Sequence, residues 1–251
     1  MPAGTSILAA PPGAGGAPDP EDKLYTLGPV LRGKAVRGVG LKGLPGAAVK
    51  EVGASAAIVS GDGGRFSLTL EDQQRVAVMV TAPGFVPTIQ IATELSRPYF
   101  EGSFKIEMFE QEDERSVEIE EFGSIQDPSL GRLVLNFQPY GSAGGVKAVA
   151  GGDAWVYDGS DRPVRGDRLP PDPGPGEIVF RNLPPGALPV TLQAPSGLVC
   201  RGPSIVPIVA GVYTRSYYFC QSPEDTAATD AQIKAWRERG GPPAELSPVG
   251  G

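Results

Sequence analysis

Two neighbouring stretches decide the fold: Gly64-Arg-Phe-Ser-Leu-Thr-Leu70 and Val76-Ala-Val-Met-Val-Thr-Ala-Pro-Gly-Phe-Val86. In both, apolar residues recur at every second position, which makes one face of an extended strand apolar. The first follows Gly61-Asp-Gly-Gly64 and the second contains Ala82-Pro-Gly84. Glycine and proline supply the backbone conformations that tight turns need. The pattern predicts short antiparallel β-strands joined by turns.

The same plan recurs later in the chain. Gly176-Glu-Ile-Val-Phe-Arg-Asn-Leu183 is followed by Leu188-Pro-Val-Thr-Leu-Gln-Ala-Pro-Ser-Gly-Leu-Val199. Further strand patterns occupy residues 133–137, 154–157 and 213–220. A repeat with so long a period indicates two duplicated domains rather than a solenoid.

The first repeat resembles the carboxypeptidase regulatory-like domain, a transthyretin-like β-sandwich. The resemblance rests on Leu31-Arg-Gly33, Leu44-Pro-Gly-Ala47-Ala-Val49, Ser60-Gly-Asp-Gly-Gly64-Arg-Phe66 and Val80-Thr-Ala-Pro-Gly-Phe85. The second repeat, with Phe180-Arg-Asn-Leu-Pro-Pro-Gly186 and Ala194-Pro-Ser-Gly197, is a divergent copy. The resemblance implies an all-β chain of two tandem antiparallel β-sandwich modules, transthyretin- or immunoglobulin-like. It also implies an envelope or secreted protein, because bacterial members of the family commonly occur there.

The composition predicts how these modules are connected. We expect a disordered tether over residues 1–23, a β-sandwich over 24–108, an acidic connector over 109–130, a second β-sandwich over 131–221, and a short helix with a disordered tail over 222–251. The connector is expected to be solvated, with an edge strand at Val117-Glu118-Ile119; whether its carboxylates bind calcium stays open. Ser222, a good N-cap, precedes the helix, in which Pro223 suits the first position.

Charge and residue usage exclude several functions. The 251 residues carry a formal net charge of −7, and no basic cluster offsets it, which argues against nucleic-acid binding. No apolar run has the length of a membrane span. Histidine is absent, which excludes His-based acid/base catalysis and His-ligated zinc. We therefore expect a non-enzymatic protein with no catalytic residues, no metal site and no cofactor.

Two interpretations fit the cysteines, Cys200 and Cys220. They are either buried thiols or a disulfide between neighbouring strands of the second module. The disulfide is favoured because the chain otherwise looks exported, and disulfides persist in oxidising compartments. The Gly/Pro/Ala-rich start resembles the tether that follows an export or lipoprotein signal, although no signal peptide is present. The expected location is extracellular, periplasmic or associated with the outer membrane; lipid anchorage through a removed N-terminal segment and a cytosolic location stay open.

The expected role is docking to a protein partner or a surface polysaccharide. Trp155, Tyr157 and Tyr218 are candidates for a binding surface, because the aromatic residues concentrate in the second module. The first alternative is a carbohydrate-binding accessory protein that uses these aromatics. The second is a hydrolase that uses carboxylates, or a Ser/Lys pair, on a β scaffold. Exposure of the three rings on one surface favours the first alternative, and two carboxylates facing each other in a pocket favour the second.

Overall fold

The computed structural model describes residues 30–38, 40–70, 75–93, 104–138, 143–157, 162–171 and 176–238. The predicted tether, residues 1–23, and the tail beyond residue 238 lie outside the described residues. The elements are β1 (Val30–Arg37), β2 (Ala48–Glu51), β3 (Ile58–Val59), β4 (Arg65–Thr69), β5 (Arg75–Thr81), β6 (Thr88–Thr93), β7 (Phe104–Met108), α1 (Gln111–Phe122), β8 (Gly131–Gln138), β9 (Lys147–Val149), β10 (Asp153–Val156), β11 (Val164–Arg165), β12 (Glu177–Leu183), β13 (Gly186–Pro189), β14 (Thr191–Gln193), β15 (Val199–Arg201), β16 (Ile205–Ile208), β17 (Tyr213–Gln221) and α2 (Pro223–Glu238).

A ten-stranded sheet runs through both predicted modules in the order β11-β10-β12-β8-β17-β6-β5-β2-β3, and β15 pairs with β17 beyond this path. Neighbouring strands are antiparallel except at the centre, where β17 runs parallel to β8 and to β6. Tyr213 lies opposite Arg132 of β8 on one side and opposite Thr88 of β6 on the other. β17, the last strand among the described residues, therefore joins the two halves of the sheet.

The first hydrophobic core lies between this sheet and a three-stranded sheet in the order β4-β1-β7. The alternating Val76, Val78 and Val80 of β5 face inward, as the period-two pattern predicts, and are buried with Phe66 and Phe104 of the covering sheet. Gly33 of β1 leaves room for the ring of Phe66, its partner on the neighbouring strand β4. A Cβ at that position would lie 2.5 Å from the Phe66 ring.

The second core lies on the opposite face of the ten-stranded sheet. Ile89 and Ile91 of β6 alternate with Thr88 and Gln90, and both isoleucines pack into this second core. The pairs β13–β16 and β14–β9 cover it as an outer layer. The two cores therefore lie on opposite faces of one shared sheet.

The predicted all-β sandwich fold with a short C-terminal helix is confirmed. The strands expected over 133–137, 154–157 and 213–220 are present as β8, β10 and β17. Because each core draws mainly on one side of residue 110, we propose that residues 24–108 and 131–221 are two units that share a sheet.

The acidic segment is not the solvated connector with an edge strand that the composition suggested; both expectations are wrong. Residues 111–122 form helix α1, and Glu114, Val117, Glu118 and Phe122 are buried. The helix ends at Gly123, whose φ of 68° is left-handed and whose N–H donates to the Ile119 carbonyl at 3.1 Å. The carboxylates at positions 114 and 118 find a buried partner, which makes a helix more stable here than a solvated strand.

Helix α2 begins as predicted. The Ser222 hydroxyl accepts a hydrogen bond from the Asp225 N–H at 3.1 Å, which caps the first turn. Arg201 of β15 binds Asp230 and so holds the helix beside the sheet. Ile233 is buried, whereas the side chain of Trp236 lies outside the described residues. Neither α1 nor α2 is long and apolar enough to cross a membrane.

The disulfide is present as predicted. Cys200 of β15 lies directly opposite Cys220 of β17, and the two sulfur atoms are bonded. β15 pairs with β17 beyond the end of β6, so the bond ties a short edge strand to the central strand of the sheet.

Replacing both cysteines by alanine should lower the free energy of unfolding by about 3 kcal/mol, because the bond closes a loop over a sequence separation of 20 residues. Urea denaturation followed by circular dichroism measures this difference. Wild-type protein kept in reductant is the matched control, and it should unfold together with the double variant. An unchanged midpoint would show that the loop is already constrained without the bond.

Candidate functional site

Charged and polar side chains gather on one face of the central strands. In the β-ladder, Arg132 lies opposite Tyr213, Val134 opposite Arg215 and Asn136 opposite Glu177, and residues opposite each other point to the same face. Helix α1 and the end of β7 contribute charges to this face. We call the following set the charged junction: Arg132, Arg181, Arg215, Glu107, Glu114, Glu118, Glu121, Glu177, Tyr157 and Tyr213.

Arg132 is the centre of the charged junction. Its Nη1 donates to Glu114 Oε1 at 2.5 Å and to Glu118 Oε1 at 3.0 Å, and all three side chains are buried. The two glutamates are four residues apart on α1 and therefore lie on the same helix face. The guanidinium also stacks over the Tyr213 ring, 4.6 Å from its centroid. This buried ion triad holds α1 against the sheet.

Arg181 fixes the loop that follows α1. Its Nη2 donates to the Ser124 carbonyl at 2.7 Å, and its guanidinium lies 4.6 Å from the centroid of Phe122. The other carboxylate oxygen of Glu118 accepts the Gln126 N–H at 2.7 Å. Asn182, in the left-handed region at a φ of 58°, donates its N–H to Gln126 Oε1. The segment between α1 and β8 is therefore held from the helix and from β12.

Arg215 and Glu177 form the part of the junction nearest the first module. Arg215 Nη1 donates to Glu107 Oε2 of β7 at 2.6 Å. Burial raises the pKa of Glu177 to about 7, although the nearby Arg215 opposes this; Glu107 and Glu121 raise the pKa further and Arg132 lowers it. Glu177 is therefore a carboxyl group that titrates near neutral pH inside the fold.

The structure separates the three aromatic residues predicted as a binding surface. Trp155 and Tyr157 lie on the α1 side of the sheet, whereas Tyr218 lies on the opposite side in the second core. Tyr218 is 2% exposed, and its hydroxyl donates to the Pro203 carbonyl at 2.6 Å. The expectation for Tyr218 is corrected, because neighbouring residues of a strand face opposite sides and its parity places it inside.

Trp155 and Tyr157 pack against the charged junction. Tyr157 is buried, and its hydroxyl donates to the Glu121 carboxylate. Burial also raises the pKa of this tyrosine well above its ordinary value. Trp155 is half-buried between Phe122, whose ring centroid is 5.3 Å away, and the Arg165 guanidinium at 5.0 Å. Its ring is thus in contact with protein groups on both of these sides.

Three carboxylates of the junction form ion pairs within the fold. Glu114 and Glu118 bind Arg132, and Glu107 binds Arg215. Among the described residues, no group of three or more acidic or cysteine side chains has a metal-binding arrangement. The arrangement is suited to fixing α1 and β7 against the sheet.

Sequence reasoning did not single out the three buried arginines. The sequence feature that could have identified them is alternation along the strand. Arg132 and Asn136 alternate with Leu133, Leu135 and Phe137, which pack in the second core. An arginine at an alternate position of an apolar strand normally indicates a solvent-facing side. Here that side is covered by α1, a helix that was not predicted because its sequence is so acidic.

The chain matches no protein-family model and no curated protein. Among solved structures, it is similar to the Bacillus anthracis TIE protein with a TM-score of 0.24 and 14% identity over 77% of this chain. The chain spans 34% of the length of that protein.

A second similarity is to GBS52, the minor pilin of the Gram-positive pathogen Streptococcus agalactiae, with a TM-score of 0.24 and 11% identity over 77% of this chain and 95% of the pilin. A third is to the family 26 carbohydrate-binding module of Eubacterium rectale Amy13K, solved with maltoheptaose, with a TM-score of 0.27 and 10% identity over 77% of this chain and 96% of the module. These likenesses are too distant to indicate an activity or a partner.

Replacing Arg132 by methionine should destabilise the fold by about 3–5 kcal/mol, because Glu114 and Glu118 are then buried without a cation. Chemical denaturation measures the loss. Arg115 lies exposed on α1, the helix that carries Glu114 and Glu118, and Arg115→Met should change the free energy of unfolding by less than about 0.5 kcal/mol. The triple variant Arg132→Met, Glu114→Gln, Glu118→Gln should recover part of the loss. Equal effects at positions 132 and 115 would contradict the buried triad.

Glu177 should make the fold more stable in mild acid than above neutrality. Its pKa in the folded state, about 7, is raised from 4.5, so the folded state holds the proton more tightly. Its contribution is fully present below pH 4.5 and is lost as the pH rises through 7. Glu177→Gln should reduce this slope and should raise the free energy of unfolding by about 3 kcal/mol above pH 8.

Unfolding curves between pH 5 and pH 8 test the role of Glu177, with Glu112→Gln, on the exposed face of α1, as the control. The control should keep the slope of the wild type. Glu121 has a pKa that burial raises, so a smaller slope in the same direction should survive in Glu177→Gln. A wild-type slope that Glu177→Gln leaves intact would rule out this assignment.

Proposed function

We propose that this chain is a non-enzymatic, exported β-sandwich module of the bacterial envelope or secretome that docks to a protein partner. The observation that carries the proposal is the Cys200–Cys220 disulfide, because such bonds persist in oxidising compartments and are rare in reducing ones. The resemblance of residues 24–108 to the carboxypeptidase regulatory-like domain supports the same role. We infer docking because the ion pairs of the charged junction hold the fold together.

Rigidity supports docking rather than catalysis. The disulfide ties β15 to β17, and ion pairs tie α1 and β7 to the sheet. Pre-organised surfaces of this kind bind partners with little movement of the backbone. The sequence has no histidine, and three carboxylates of the charged junction, Glu107, Glu114 and Glu118, are bound to arginines.

A protein partner is favoured over a polysaccharide. Sugar-binding surfaces present the open face of an aromatic ring. Trp155, the most accessible of the three predicted aromatics, contacts Phe122 and lies under Arg165, while Tyr157 and Tyr218 are buried.

Protein isolated from the native cells, with thiols blocked by alkylation during lysis, should contain Cys200 and Cys220 as one intramolecular disulfide and should fractionate with the envelope or the medium. Mass spectrometry without reductant detects the bond. Recombinant protein reduced before alkylation is the control for labelling of both thiols. Two alkylated cysteines in protein from the cytosolic fraction would overturn export.

A further inference from the structure

The three-stranded sheet β4-β1-β7 has one face on the first core and an opposite, outer face. Along each strand, residues that point into the core alternate with residues that point outward. The inward residues are Leu31, Ala35, Phe66, Leu68, Phe104 and Ile106. Four of the outward residues are basic. We call them the basic face: Arg32 and Lys34 of β1, Arg65 of β4 and Lys105 of β7.

Three of these four residues lie side by side on neighbouring strands. Lys34, on the middle strand, is directly opposite Arg65 on one side and level with Lys105 on the other. Because neighbouring strands are about 4.8 Å apart, the three cations lie within about 10 Å, and Arg32 lies about 7 Å further along β1. Arg32, Arg65 and Lys105 are exposed, and Lys34 is half-buried. The four residues are far apart in the sequence, so no basic run marks them.

Acidic side chains near the basic face are few among the described residues. Glu107 is the one acidic residue among the outward residues of the described strands β1, β4 and β7, and it binds Arg215 of the charged junction at 2.6 Å. Asp62 lies at the border, in the turn before β4. Lys34 and Arg65 each make a further interaction within the chain. The outer face of this sheet is therefore positive on a chain whose formal net charge is −7.

The row of cations works against the stability of the sheet. Like charges that face each other across neighbouring strands repel and destabilise the pairing. The chain has 29 acidic and 22 basic residues, so acids are not scarce, yet three adjacent strands place bases at the same level. Proteins keep such local conflicts mainly where a function requires them. Carboxylates of a bound partner would lie among these cations and remove the repulsion.

The size of the basic face selects among anionic partners. The face measures about 10 Å by 7 Å, which three or four carboxylates of an acidic protein segment can cover. A membrane surface or a nucleic-acid duplex extends far beyond such a patch and brings its remaining charges against an acidic chain. A short acidic segment places its charges only where the cations are.

We propose that the basic face is the surface that docks the partner protein, and that it binds an acidic segment of that protein through ion pairs with Arg32, Lys34, Arg65 and Lys105. Ser67, directly opposite Arg32, adds a hydroxyl that can donate to one of the bound carboxylates. The inference rests on the proposed docking role, for which it names the surface and the chemistry of the partner.

Fluorescence anisotropy of a labelled octaglutamate peptide, titrated with the oxidised full chain at about 50 mM salt, tests this surface. The wild type should bind with a dissociation constant below about 1 mM, added salt should weaken the binding, and an octaglutamine peptide should not bind. Arg32→Glu and Lys105→Glu should each raise the dissociation constant by about tenfold or more, because each replaces a cation of the face by an anion.

Lys234→Glu is the matched control, because it changes the net charge equally at a side chain of α2 that is 78% exposed. It should change the dissociation constant by less than about threefold, since charges beyond a Debye length are largely screened. Circular dichroism and the intact disulfide confirm that each variant is folded.

A second measurement separates binding from a structural role. Lys105→Gln should weaken peptide binding, but at low salt its urea midpoint should equal or exceed that of the wild type, because a repulsion across the strands is removed. A lower midpoint would show that this cation stabilises the sheet, and would contradict a row kept for binding.

Phosphatidylglycerol vesicles and a DNA duplex are the comparison probes. Tighter binding of either probe than of the peptide would assign the basic face to another class of partner and overturn the proposal. So would a wild type that does not bind the peptide, or equal losses in Arg32→Glu and Lys234→Glu. None of these results would affect the proposed export, which the compartment experiment tests separately.

Discussion

The position of β17 between β8 and β6 is the constraint on which the rest of the structure depends. β17 pairs in parallel with two strands, β6 and β8, that lie much earlier in the chain. Such pairings are distant in sequence, so ordering entropy is lost before the contacts form. The disulfide to β15 and the cap of α2 act at the far end of this strand, and they keep it in register once it is placed.

The charged junction follows from the same arrangement. The three-stranded sheet covers one face of the ten-stranded sheet over β5, and the outer layer covers the opposite face. On the first face, the polar side chains of β8, β12 and β17 are covered by α1, whose carboxylates pair with Arg132. Burying the charges costs desolvation energy, which the ion pairs offset only if the partners meet in one geometry. The junction thus selects one position for α1.

Local features were predictable from the sequence, and long-range features were not. The period-two alternation at Val76, Val78 and Val80 identified a strand and its buried face, and Ser222 identified the start of α2. The prediction of a solvated segment at Glu114 and Glu118 was wrong because their partner, Arg132, lies in a strand that follows the helix. Acidic residues with no basic residue nearby in the sequence are usually exposed to solvent. The prediction for Tyr218 was wrong because alternate residues of β17 face opposite sides of the sheet, and the side that is buried depends on the layer that packs on it. The disulfide was predictable, since two strand ends with turn residues between them lie side by side.

The charged junction places in the interior residues that usually face solvent. Arg132, Arg181 and Arg215 are inside, where their ion pairs and hydrogen bonds hold α1, the loop after it and β7. Charges in the interior specify geometry because an unpaired buried ion is costly, so mispaired arrangements of the strands are excluded.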